Sequence, residues 1–197
     1  MKLLLRSSVM EVKDYIKHYK KALDPSLCRN IIDLGKKESL ERWEQKGRPQ
    51  WNMFNITHEI EKEDAKEEWI KVHQQLIMAI KGCAEAYMTQ TKCKEYWPIE
   101  NSFEQIKLKH YDKERNDRFD VHVDVGNHDS ARRFLSIFFY LNDVDKGGET
   151  CFHNIDYNVK PKEGSVLIFP PTWMFPHSGK APLSNDKWIV STYLHYL

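Results

Sequence analysis

The chain has 197 residues, enough for one domain with a sizeable hydrophobic core. Hydrophobic residues make up 41% and aromatics 12%, which excludes a disordered chain; 30 basic against 29 acidic side chains leave no field that would argue for nucleic acid or an anionic membrane as partner. No apolar run is long enough to span a bilayer, and Arg6 breaks the opening "MKLLLRSSV" too early for a signal-peptide core, so a soluble cytoplasmic protein is expected.

Cys28, Cys83, Cys93 and Cys151 show neither CxxC nor zinc-finger spacing and read as reduced thiols. No repeat or linker divides the chain, so 1–197 is expected to form a single domain, mainly helical over 1–97 and stranded over 98–197. In "LDPSLCRNIIDLGKKE", Asp24 can cap a helix whose first position is Pro25, with Leu27, Ile31 and Leu34 on one face. A longer helix is predicted from about Lys62 to Met88. Its stripe of Trp69, Val72, Leu76, Ala79, Ile80, Cys83 and Tyr87 would pack on a sheet. Between them, residues 40–58 read as a loop rich in aromatics, with Trp43, Arg48, Trp51 and Phe54, either folded over the core or lining a groove. From residue 103 the runs "FEQIKLKHY", "FDVHVDV", "RRFLSIFFYLNDV", "ETCFH", "GSVLIFP" and "KWIVSTYLHYL" are short, apolar and separated by turns. The pattern predicts an α+β protein: a jelly-roll or cupin-like double sheet, braced by N-terminal helices. The charged stretch 112–120 between two of the runs reads as a solvated loop or a lid.

On a strand, residues two apart share a face, so His122 and Asp124 would project together. An imidazole beside a carboxylate suits a divalent metal, but His110 and Asp112 repeat the pattern and context must choose. Three features favour the later pair. His177, just beyond a Pro-rich turn, can supply a third ligand, and two imidazoles with one carboxylate make an open facial site. Lys187 follows ten residues on, and Ser191 shares its face, a pairing suited to a carboxylate. Tyr111 and Tyr140 could add phenol hydroxyls to the same pocket.

Tyr111, His122-x-Asp124, "FYLNDVDKGGETCF", His177 and Lys187-Trp188, in this order, resemble the iron(II)- and 2-oxoglutarate-dependent dioxygenases, and within them the prolyl 4-hydroxylase branch, over roughly residues 103–197. The resemblance implies a double-stranded β-helix whose 98–197 half is catalytic, with Fe(II) held by His122, Asp124 and His177. It implies 2-oxoglutarate held by Lys187, Tyr111, Tyr140 and Ser191, and peptide contacts by Arg133, Tyr193 and His195. It also implies oxygen-dependent hydroxylation, with ascorbate as a supporting reductant. Because Asp124 occupies the carboxylate position, hydroxylation is implied rather than halogenation. A prolyl residue of a peptide or protein is the leading substrate. Another residue, a free small molecule, or an inert binding module are the alternatives. An open groove lined by Trp51, Tyr193 and His195 would suit a peptide, whereas Trp173 or Phe175 plugging the mouth would suit a small molecule.

Overall fold

A computed structural model describes residues 9–45 and 49–197; the opening segment with Arg6, and Arg48, lie outside the described residues. The first helix, α1 (Pro25–Gly35), starts as expected, with the Asp24 carboxylate accepting from the Ser26 N–H at 2.7 Å and Pro25 in the first turn. It buries Leu27, Cys28 and Ile31. The long helix, α3 (Glu67–Gln90), begins five residues later than the periodicity suggests. A separate turn, α2 (Ile56–Ile60), capped by Asn55, precedes it. Glu38 then anchors the start of α3, accepting from Lys66 Nζ at 2.7 Å and from Trp69 Nε1 at 2.9 Å. Glu63 and Asp64 therefore sit in the connecting turn, and only Glu67 and Glu68 meet the helix dipole.

The sheets hold twelve strands among the described residues. The larger sheet runs β1 (Lys17–Tyr19), β10 (Val166–Phe169), β7 (Arg133–Tyr140), β12 (Lys187–Tyr196), β5 (Lys107–Tyr111), β3 (Gln50–Asn55) and β2 (Glu41–Glu44), with β4 (Asn101–Phe103) pairing the end of β12. The smaller runs β6 (Phe119–His122), β11 (His177–Gly179), β8 (Thr150–Phe152) and β9 (Tyr157–Val159). All pairings are antiparallel, and the architecture is the expected double-stranded β-helix.

Helix outweighs strand over 1–97, but that half is not support alone. That half contributes β1, β2 and β3 to the main sheet, and the expected loop 40–58 is largely the β2–β3 hairpin. Its aromatics divide by strand alternation. Phe54 stacks on Trp69 on the helix side, with ring centroids 4.8 Å apart, and Trp51 faces the interior between the sheets against Phe119.

Two cores result. On one face of the large sheet Ile137, Phe139, Val166, Ile168, Trp188 and Val190 meet α1 and α3. On the other, Phe138, Tyr140, Phe169 and Ile189 meet Phe152 and Val159 of the small sheet. Each fully buried aliphatic side chain contributes about 1.5–3 kcal/mol. The stretch 112–120 is a pinned turn and not a loose loop. Asp117 is fully buried, takes a two-pronged bond from Arg42 at 2.7 and 2.8 Å, and accepts from the Asp112 N–H.

Candidate metal centre and its cavity

β6 and β11 pair with His122 and His177 as direct partners, which brings the two imidazoles to within 4.3 Å between ring centres. Asp124 lies two residues past the end of β6, not on the strand as the alternation suggests. Its backbone is held there by the Val125 N–H donating to Pro171 O and by Arg133 donating to Asp124 O. The ligand atoms of His122, Asp124 and His177 all lie within 4.8 Å of one another, and all three side chains are buried.

Hydrogen bonding fixes which atoms point inward. His122 Nδ1 lies 2.8 Å from Asp120 O and His177 Nδ1 lies 3.0 Å from Phe175 O. A carbonyl only accepts, so each Nδ1 carries a proton and each Nε2 is the ring atom turned towards Asp124, the atom left to bind a metal. Tyr193 donates to Asp124 Oδ1 at 3.0 Å and Ser136 to Oδ2 at 2.8 Å, orienting the carboxylate from behind. Burial would raise the Asp124 carboxyl, but His177, His122 and the Ser136 hydroxyl outweigh it and hold it below the usual carboxylate range. Burial pushes His177 down to about 4, so it is a neutral donor at pH 7. Two imidazole Nε2 atoms and one carboxylate, open on one side, fit a divalent iron-type ion.

Behind this triad lies a narrow cavity of about 30 Å³, lined by Tyr111, Tyr140, Thr150, Gly179 and Lys187 among others. Lys187 is 2% exposed; its ammonium donates to Gly148 O at 3.0 Å and stands 4.4 Å from the Tyr111 ring centre. Gly147 and Gly148 make the sharp turn that presents this carbonyl, at φ of 72° and 75°, which a side chain would strain. Burial pushes Lys187 down to about 8, so a cationic lysine here is short of an anion. Burial raises the Tyr111 and Tyr140 phenols, which stay protonated, and Tyr140 OH lies 2.7 Å from Thr150 Oγ1.

Ser191 is not in this inner cavity. It faces the same way as Lys187, but four residues of strand separate them by about 13 Å at the strand rise, too far to grip one carboxylate together. Thr150, which no sequence pattern singles out, takes that place.

Outside the triad a wide cavity of about 540 Å³ opens past Trp43, Trp51, Lys109, Arg133, Ser191 and Tyr193. Arg133 is committed to the scaffold, with two bonds to Glu104 at 2.7 and 2.9 Å and its plane 4.1 Å from the Tyr193 ring centre. His195 lines neither cavity; its Nδ1 lies 2.9 Å from Tyr196 O near the end of β12. Trp173 is 77% exposed and Phe175 is buried in the core, and neither lines the cavities. His110 is structural: it stacks on Trp188 and bonds Asp186, while Asp112 caps a turn.

Residues 106–195 match the family model described as the 2OG-Fe(II) oxygenase superfamily. The match covers a little under half of the chain, and the relatives it is similar to include prolyl 4-hydroxylases. The chain is 29% identical over 93 residues to prolyl 4-hydroxylase subunit alpha-1 of Gallus gallus, a match covering 44% of this chain and 17% of that relative, so it spans only a small part of the relative's length. Its fold resembles a viral collagen prolyl hydroxylase from Paramecium Bursaria Chlorella virus-1, solved as a 2OG complex, with TM-score 0.69 and 17% identity over 93% of this chain and 97% of that one. It also resembles a prolyl hydroxylase from Trichoplax adhaerens solved with a hypoxia inducible factor peptide fragment, with TM-score 0.69 and 15% identity over 93% and 84% of the two chains. No described helix is long and apolar enough to cross a membrane.

Proposed function

We propose that this chain is an Fe(II)- and 2-oxoglutarate-dependent hydroxylase acting on prolyl residues of a peptide or protein. The observation that carries it is the pairing of three inward lone-pair donors with a buried lysine behind them and an open cavity in front. His122, Asp124 and His177 would hold the metal. Fe(II) bound there supplies oxygen activation, as 2-oxoglutarate and O₂ become succinate and carbon dioxide and a substrate C–H becomes C–OH.

The chain's own groups do the positioning. The Lys187 ammonium receives the distal carboxylate of 2-oxoglutarate, and the Tyr111 and Tyr140 hydroxyls and Thr150 flank it. The inner cavity adjoins the buried Lys187 ammonium, so a carboxylate seated there would take the place of solvent around that charge. Tyr193 and Ser136 keep the Asp124 carboxylate from rotating, and Arg133 fixes its backbone. The wide mouth, unplugged by Trp173 or Phe175 and walled by Trp51 and Tyr193, suits an extended peptide more than an enclosed small molecule.

The test is succinate formation and peptide mass gain by purified protein with Fe(II), ascorbate, oxygen and 2-oxoglutarate, with and without a proline-rich peptide panel. The expected result is a peptide gaining one oxygen, dependent on His122. Succinate release that no peptide stimulates would remove the prolyl assignment. No release from iron-loaded protein would remove the enzyme assignment in favour of a binding module.

A further inference from the structure

A second buried lysine faces the site, and the proposed hydroxylation does not use it; its role rests on that reaction only for the location of the reacting carbon. Lys109 is 9% exposed and lines both cavities together with His122, Asp124, Phe119 and Tyr193. Its ammonium stands 4.5 Å from the Trp51 ring centre and makes no hydrogen bond or ion pair among the described residues. Trp51 Nε1 is also buried without an acceptor. Lys107, on the same side of β5, also lines the outer cavity. The nearby anions are engaged: Glu104 by Arg133, and Asp124 by Tyr193, Ser136 and its place among the candidate ligands. The Lys109 side chain is largely buried while its ammonium opens onto the cavity, so a cation without a protein acceptor is offered to whatever occupies the space beside the candidate ligands.

We propose that Lys109 is a specificity-determining residue that receives a carboxylate of the primary substrate, carried close to the carbon that is hydroxylated. The cosubstrate has its own lysine, Lys187, at the far end of the inner cavity, so Lys109 is available to the other reactant. The carboxylate can come from an Asp or Glu beside the target residue of a peptide, or from the acid group of a small substrate. The outer cavity, about 540 Å³, has room for either.

The test is calorimetric binding to the purified full chain with Mn(II) and 2-oxoglutarate under nitrogen, so that no turnover is needed. Matched peptides carrying Pro-Glu, Pro-Gln or Pro-Lys report the peptide source; proline against prolinamide reports the small-acid source. At least one acid should bind about tenfold more tightly than its neutral partner, about 1.4 kcal/mol. Lys109→Met should bring the two within about twofold, Lys109→Arg should keep the preference, and Lys109→Glu should turn it towards Pro-Lys. Melting curves identify any variant that fails to fold, and the other substitutions then carry the comparison. Equal binding of acids and neutral partners by the unaltered protein would overturn the proposal, as would no binding of any probe. So would an acid preference that survives in Lys109→Met, or weaker 2-oxoglutarate binding with the peptide preference intact. Acid preference without hydroxylation would overturn the proposed reaction instead, and hydroxylation without acid preference this inference alone.

Discussion

Along β12, Trp188, Val190 and Leu194 lie in the core against the helices, while Lys187, Ile189, Ser191 and Tyr193 face the space between the sheets. β7 repeats the division, with Leu135, Ile137 and Phe139 on one side and Ser136, Phe138 and Tyr140 on the other. The helix face is almost wholly apolar. The interior face carries buried ionisable groups whose charged forms burial disfavours, Lys187 and Lys109 among them. The same strands thus hold one face that stabilises the fold and another that spends stability on a preorganised polar site.

Substitutions should separate the two faces, with effects on function falling from complete loss to none. His177→Ala is expected to abolish 2-oxoglutarate turnover and metal binding by the apoprotein, measured by succinate release and metal titration. Lys187→Met is expected to raise KM for 2-oxoglutarate about 100-fold, the cost of truncating one partner of a buried charge pair. Its thermal midpoint without cosubstrate should stay level or rise, because a buried ammonium has been replaced by an apolar chain. A clear fall in the midpoint would contradict the division between the two faces.

Tyr193→Phe removes one hydroxyl from Asp124 and is expected to weaken metal affinity or activity about 10-fold or somewhat more. The pH dependence supplies a finer test. The Lys187 pKa is lowered to about 8 in the folded chain, from the ordinary lysine value of 10.5. Between these values the unfolded chain binds the extra proton, so this lysine's contribution to stability rises with pH. The proposed cosubstrate binding uses the ammonium and runs the other way, so the Kd for 2-oxoglutarate should rise about tenfold per unit above pH 8, and Lys187→Met should flatten this dependence. At the far end, Ile137→Ala on the helix face should cost about 2–5 kcal/mol of folding free energy. It should leave KM unchanged below its melting temperature, as paired denaturation and kinetic measurements would show.

His122, Asp124, His177, Lys187, Tyr111 and Tyr140 are legible in the chain through their order and the resemblance that order carries, since the two-residue spacing alone fits His110 and Asp112 as well. The cap of α1 and the apolar stripe of α3 are legible because capping and helical periodicity act over a few residues. The strands β1, β2 and β3 are not. Each exists because its backbone pairs with a partner elsewhere in the sheet, β1 with β10 and β3 with β5, and no short-range pattern announces such pairing. Ser191 is misplaced by the sequence pattern because alternation gives the face but not the depth along it. Ser136 escapes it because an isolated polar residue in an apolar run looks like an ordinary strand residue, and Lys109 and Thr150 because each stands among other polar residues with no motif to mark it. The sequence determined which side chains could bind a metal and an acid. Only the folding of one sheet over the other decided which of them meet, because those distances are set by long-range strand register.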